Sequence, residues 1–221
     1  MNRFSTLVVL AITFIACGHE NIDDIYTNYR LDIVTYMGKH DTDTHYFDYY
    51  GSGDELPIRL VYTGMIGEYK TGERVLLRYT IADPMPEGGG EVNLRQCVAT
   101  TIISDTLRET SLDAGELAHD PIRLRSIWRT GNYINLHCEV EYTGKTRTLA
   151  LNALQTTLDN DTVVCRLVHD MRDASAMQWR NCYASFYIGD IWNRTSCRTL
   201  KVVIDSDVIR PDKRDYCFDK H

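Results

Sequence analysis

The chain has 221 residues, a formal net charge of −7 and 43% hydrophobic residues. It carries no basic run of five or more, and a chain this acidic cannot neutralise a phosphate backbone, so nucleic acid is excluded as a partner. The length suffices for one large or two small domains, each with its own core.

The amino end reads as an export segment. Arg3 supplies a positive charge, and Leu7 to Ala16 form an apolar run broken only by Thr13. That run is too short to span a bilayer but fits a signal sequence. It ends in Phe14-Ile15-Ala16-Cys17, which resembles a bacterial lipobox, with Phe14 where a leucine is usual. The expectation is a signal peptide over residues 1–16, cleavage before Cys17, and lipid on the Cys17 thiol that tethers the chain to a membrane. Residues 17–30 then form the lipidated start and a polar, acidic tether, Gly18-His19-Glu20-Asn21-Ile22-Asp23-Asp24. Cleavage removes Arg3 and no acid, so the mature charge becomes −8.

Beyond the tether, strand-like alternation recurs and helical periodicity is nearly absent. Strands are expected over Leu31–Tyr36 and Ile58–Tyr62. In Glu73–Ala82, Val75, Leu77, Tyr79 and Ile81 share one face. In Val92–Ile103, the inward set is Val92, Leu94, Val98 and Ile102. In Pro121–Arg129, Ile122, Leu124 and Trp128 oppose Arg123, Arg125 and Arg129. Tyr133–Tyr142 alternates most cleanly, with Ile134, Leu136, Cys138, Val140 and Tyr142 inward. Four more strands follow at Arg147–Leu154, Thr162–Val168, Tyr183–Ile188 and Leu200–Asp205, and Asp173–Arg180 reads as a short helix capped by Asp173.

Turn chemistry separates them: Thr63-Gly64, Lys70-Thr71-Gly72, Thr130-Gly131-Asn132 and Thr143-Gly144-Lys145. Pro84-Met85-Pro86-Glu87 with Gly88-Gly89-Gly90 makes a long loop. Many short strands joined this way predict an all-β protein of barrels or sandwiches. The polar stretch Thr110–Asp120 ahead of Pro121 is the expected boundary, giving domains at 31–115 and 116–221.

Six cysteines follow Cys17: Cys97, Cys138, Cys165, Cys182, Cys197 and Cys217. No CxxC spacing points to zinc, and an exported chain meets an oxidising compartment, so all six are candidate disulfide cysteines. Five lie beyond residue 116, so one of these stays unpaired or reaches Cys97.

Catalytic signatures of the G-x-S-x-G, HExxH, Walker A and GxGxxG kinds are absent, and no cofactor or metal is expected. His137 and Glu139 share a strand face and could form an acid–base pair, although a solvated face is the ordinary reading. His169-Asp170 reads as a structural hydrogen-bonding pair. The segment Asp41-Thr42-Asp43-Thr44-His45 with Asp48 looks like a calcium-type oxygen cluster because it carries several carboxylates, but the Gly and Glu of a calcium loop do not follow, and a solvated loop is the ordinary reading. Tyr46, Phe47, Tyr49 and Tyr50 are candidate binding aromatics, the alternative being a plug for one end of the first domain.

The segment Lys70-Thr71-Gly72-Glu73-Arg74-Val75-Leu76-Leu77-Arg78-Tyr79-Thr80-Ile81-Ala82-Asp83 resembles the amino-terminal core of the NigD-like lipoprotein family of Bacteroidetes. Asp120-Pro121-Ile122, Ile127-Trp128 and Gly131-Asn132-Tyr133-Ile134-Asn135-Leu136 are similar to the opening of that family's carboxy-terminal domain. Leu167-Val168-His169-Asp170 and Cys182-Tyr183-Ala184-Ser185-Phe186 match later segments in order. The resemblance implies an envelope lipoprotein, in the outer membrane at its surface or periplasmic face, with an OB-like β-barrel and then an immunoglobulin-like β-sandwich. It implies no assigned reaction. The cysteine count departs from a family that is usually cysteine-poor. Acidic residues behind Cys17 also resemble surface-export signals of such lipoproteins, and Asp105-Thr106-Leu107 and Asp161-Thr162-Val163 resemble their O-glycosylation sites at Thr106 and Thr162. The functional expectation is a non-enzymatic binding module for a protein or glycan at the cell surface. The alternatives are an envelope hydrolase or a structural subunit of a surface assembly.

Overall fold

The computed structural model describes residues 29–53, 56–82, 84, 90–142, 148–171 and 178–220. The expected signal peptide, Cys17 and the expected tether through residue 28 lie outside these residues, as does most of the proline- and glycine-rich segment.

The first five strands are β1 (Arg30–Lys39), β2 (Thr44–Tyr49), β3 (Ile58–Thr63), β4 (Arg74–Ile81) and β5 (Gly90–Thr101). They close into a barrel in the order β1-β2-β3-β5-β4. Only β3 and β5 pair in parallel, the pattern of the five-stranded Greek-key OB barrel. Its core gathers Val34 of β1, Phe47 of β2, Leu60 of β3, Val75, Leu77 and Tyr79 of β4, and Val92 and Leu94 of β5, so every strand of the ring contributes. β2 was not expected. Its residues Tyr46 to Tyr49 are all at least half-buried, so apolar alternation is blurred.

The second half holds β6 (Ile103–Thr106), β7 (Arg108–Thr110), β8 (Ile122–Thr130), β9 (Tyr133–Tyr142), β10 (Thr148–Leu154), β11 (Thr162–Asp170), β12 (Gln178–Tyr187), β13 (Thr199–Val203) and β14 (Asp215–Asp219). A sheet ordered β14-β13-β11-β10-β7 faces one ordered β6-β12-β9-β8. One cluster fills the space between them, with Leu136, Val140 and Phe186 meeting Leu151, Val163 and Leu200. The molecule is an OB-like barrel followed by an immunoglobulin-like sandwich.

The boundary differs from 115/116. β6 pairs with β12 and β7 with β10, so the chain enters the sandwich at Ile103. The polar stretch from Thr110 lies inside the second domain, where Ala114–Glu116 make one 3-10 turn closed by an Asp113–Glu116 capping box. Polarity there reflects a surface turn, not a linker. Of the expected helix Asp173–Arg180, residues 172–177 lie outside the described residues, and Gln178–Arg180 open β12 instead.

Two bulges overturn the expected inward sets. In β5 the partner register slips between Thr80 and Ile81. The extra residue moves Cys97 inside and leaves Val98 56% exposed. In β8 the register shifts between Leu124 and Ser126. Ile122 and Leu124 face the core as expected, but past the bulge Arg129 is buried and Trp128 is only half-buried on the other face.

Candidate functional site

The two domains meet on the outer face of the β9–β12 ladder, where Asn135 stands opposite Ser185. Arg74, the first residue of β4, projects into that junction with 1% of its surface exposed. Its guanidinium donates to Thr35 Oγ1 (2.9 Å), Asn135 Oδ1 (3.0 Å), Ser185 Oγ (3.1 Å) and the Ile33 carbonyl (3.4 Å). It also sits 4.3 Å from the centroid of the Tyr133 ring. Asn135 in turn donates to Thr130 Oγ1 and accepts from Ser185 Oγ. None of these acceptors carries a charge, and burial pulls the Arg74 pKa down to about 10, so it stays protonated at neutral pH. A buried cation without a carboxylate is costly unless every donor is used. Here all three guanidinium nitrogens donate, and the acceptors come from both domains.

Beside this network runs a groove of about 200 Å³ between barrel and sandwich, lined by Asp32 and Ile33 of β1, Tyr49 at the end of β2 and Tyr50 after it, and Trp128 and Thr130 of β8. The segment after Tyr50 closes one wall. Gly53 donates to the Arg129 carbonyl (3.2 Å), and Gly131 donates back to Gly53 (2.7 Å). Gly131 holds a φ of +51°, and a Cβ there would stand 3.5 Å from the Tyr50 ring. Tyr79 Oη donates to Asp32 Oδ2 at 2.9 Å. Burial is the largest influence on Asp32 and raises its carboxyl above the ordinary range, against the Tyr79 hydrogen bond and Arg30. The groove is thus lined by one acidic residue and three aromatic ones.

The four candidate aromatics divide. Tyr49 and Tyr50 line the groove. Phe47 is fully buried in the barrel core. Tyr46 faces the barrel exterior, with Arg59 5.7 Å from its ring centroid. Trp128 and Arg74 were not singled out as functional residues. Trp128 was assigned to the core because nothing in its neighbours announces the bulge that turns it outward.

The acid–base pair is not assembled. His137 stacks on Tyr183 (4.3 Å, 5° between planes) and contacts Asn181. Arg125 and Arg123 engage the Glu139 carboxylate and hold its pKa below the usual range. His169 is fully buried, its Nδ1 3.2 Å from the Pro121 carbonyl, while its own carbonyl accepts from Asp120, a structural role. Asp41 caps the backbone amides of Asp43 and Thr44, and Asp48 pairs with Arg59. Among the described residues, no group of three or more His, Cys, Asp or Glu converges on a metal position. Thr106 is exposed at the end of β6, whereas Thr162 is half-buried opposite Thr199. Among the six cysteines, Cys138, Cys165, Cys182 and Cys197 are buried in the sandwich core. Cys97 is in the barrel core, and Cys217 is exposed on the outermost strand β14.

A depression of about 650 Å³ lies at the far end of the sandwich, around Asn193–Thr199, Asp219 and Lys220. Two of its bases are engaged locally: Arg194 pairs with Glu109, and Lys220 donates to the Arg194 carbonyl.

The family description of a NigD-like C-terminal beta sandwich domain matches residues 104–219, more than half of the chain. No curated protein matches. Among solved structures, the chain is similar to a protein of unknown function from Bacteroides vulgatus (TM-score 0.63, 14% identity, covering 88% of this chain and 92% of that one). It is also similar to a candidate lipoprotein from Bacteroides fragilis (0.58, 12%, 88% and 98%). A third is a NigD-like immunity protein from Bacteroides caccae (0.53, 14%, 79% and 84%). At such identities the likeness concerns the fold alone.

Proposed function

The chain belongs to the NigD-like family through its C-terminal β-sandwich, and from that premise we propose that it is a membrane-anchored envelope lipoprotein that binds a glycan or protein without transforming it. The lipid would sit on Cys17. The observation that carries the reading is the junction groove, which Asp32, Tyr49, Tyr50 and Trp128 line together. Aromatic faces hold the apolar side of a sugar ring or side chain, and a carboxylate accepts from its hydroxyl or amine donors. The groove volume suits one ring or one side chain of a longer ligand. Similarity to a candidate lipoprotein and to an immunity protein supports an envelope-associated binder over an enzyme.

A protein partner is favoured by a second observation. The β8–β9–β12 face beyond the barrel carries Trp179 under Arg123 (4.0 Å) and the Tyr183–His137 stack, all partly exposed.

The test is in-cell cross-linking and glycan-array binding with the full-length anchored chain and its Trp128→Ala variant. We expect a captured ligand whose affinity falls more than about tenfold in the variant, equivalent to about 1.4 kcal/mol, with an unchanged circular dichroism spectrum. Equal binding by both proteins would remove the groove from the reading.

A further inference from the structure

We propose that Cys138 and Cys182 form a disulfide site that joins the two central strands of the sheet carrying the barrel. β9 and β12 are antiparallel over ten rungs, and Cys138 stands directly opposite Cys182. Both side chains point into the sandwich core, flanked by Leu136, Val140 and Ala184. In the registers of the described strands, no other two of the six cysteines are opposed: Cys97 faces Tyr79, Cys165 faces Ala153 and Val202, and Cys217 faces Lys201. Directly opposed residues in such a ladder hold their Cβ atoms about 4.5–5.5 Å apart. A disulfide takes about 3.5–4.5 Å, so bond formation asks only a small local closure.

The reaction is thiol–disulfide exchange with a disulfide oxidant, either a small-molecule disulfide or a dithiol oxidoreductase. One cysteine thiolate attacks the oxidant's disulfide and makes a mixed disulfide. The second cysteine then displaces the oxidant's remaining sulfur. The chain loses two hydrogens as two electrons and two protons, and the oxidant leaves reduced to thiols. Because both sulfurs are buried, the bond forms while the sandwich is closing and is then shielded from external thiols.

The position matters to the junction. Three rungs away, about 10 Å along the ladder, Asn135 and Ser185 receive Arg74. A slip of one residue by either strand against the other would turn its own member of the pair, Asn135 or Ser185, away from the barrel and point its core side chains there instead. The covalent link forbids that slip.

The full-length chain is refolded with oxidised glutathione, then denatured, alkylated without reduction, digested and mapped by mass. The expected product is a Cys138–Cys182 linked peptide lacking two hydrogens, with Cys97 and Cys217 alkylated. Full alkylation of Cys138 and Cys182, or bonding of either to Cys165 or Cys197, overturns the proposal. As a second measurement, added reductant should lower the denaturant midpoint of the oxidised wild type and leave a Cys138→Ala, Cys182→Ala variant unmoved. An unmoved wild type refutes the site.

Discussion

His45 shows how a single side chain ties the barrel to pH. It is buried on β2, with Nδ1 3.0 Å from the Tyr36 hydroxyl. Burial, helped by Lys39, pushes its pKa below the ordinary value, while Asp43 and Asp41 pull the other way. The unfolded chain takes up a proton near about pH 6.5 that the folded chain refuses. Stability from neutral His45 is therefore complete above that pH and declines as pH falls through it toward the lower folded value. Melting temperatures of wild type and His45→Gln between pH 8 and about pH 5 should diverge, with the wild type losing more on acidification. Parallel curves would mean that His45 carries no linkage. Residue types hinted at little of this: His45 resembled one ligand of an oxygen cluster, and only the fold shows that Asp41 caps a turn and Asp48 serves Arg59.

At the scale of strands, reading by alternation succeeds where one face is dry and the other wet. β9 lies at its expected residues because Ile134, Leu136, Cys138 and Val140 are buried while the residues between Tyr133 and Glu141 on the other face meet water or the barrel. The same reading fails at bulges, since an added residue reverses inside and outside without altering composition. It fails too at the domain boundary, because a single residue, Ile102, separates β5 from β6 and no linker exists to be recognised. A third bulge lies in β1 between Tyr36 and Gly38, where Gly38 adopts a φ of +99°. A Cβ there would stand 3.0 Å from Thr71 Oγ1. Gly38→Ala should therefore destabilise the barrel by about 2 kcal/mol, from left-handed strain and crowding together. Urea denaturation checks this, and a loss under half that size would show that the β1 bend relaxes freely.

For the molecule as a whole, Arg74 is the residue through which barrel strands β1 and β4 and sandwich strands β9 and β12 depend on one another. Truncation to alanine leaves the Thr35, Asn135 and Ser185 groups without their donor in a buried space. The expected cost is about 3 kcal/mol. The more telling outcome is cooperativity. Wild type should unfold in one calorimetric transition, and Arg74→Ala should separate barrel from sandwich into two. A single transition in the variant would place the coupling elsewhere, in the Gly53–Thr130 strand bridge.

The one-residue passage through Ile102 has a kinetic consequence. With one residue between β5 and β6 and Gly53 stitched to β8 across the groove, the described walls are held on two sides, so a ligand bound as proposed would enter without a preceding opening of the domains. Capture then proceeds in one step: the observed rate climbs linearly with ligand concentration and shows no plateau from a preceding rearrangement. Ligands bound as proposed would be told apart by how long they stay rather than by how fast they arrive.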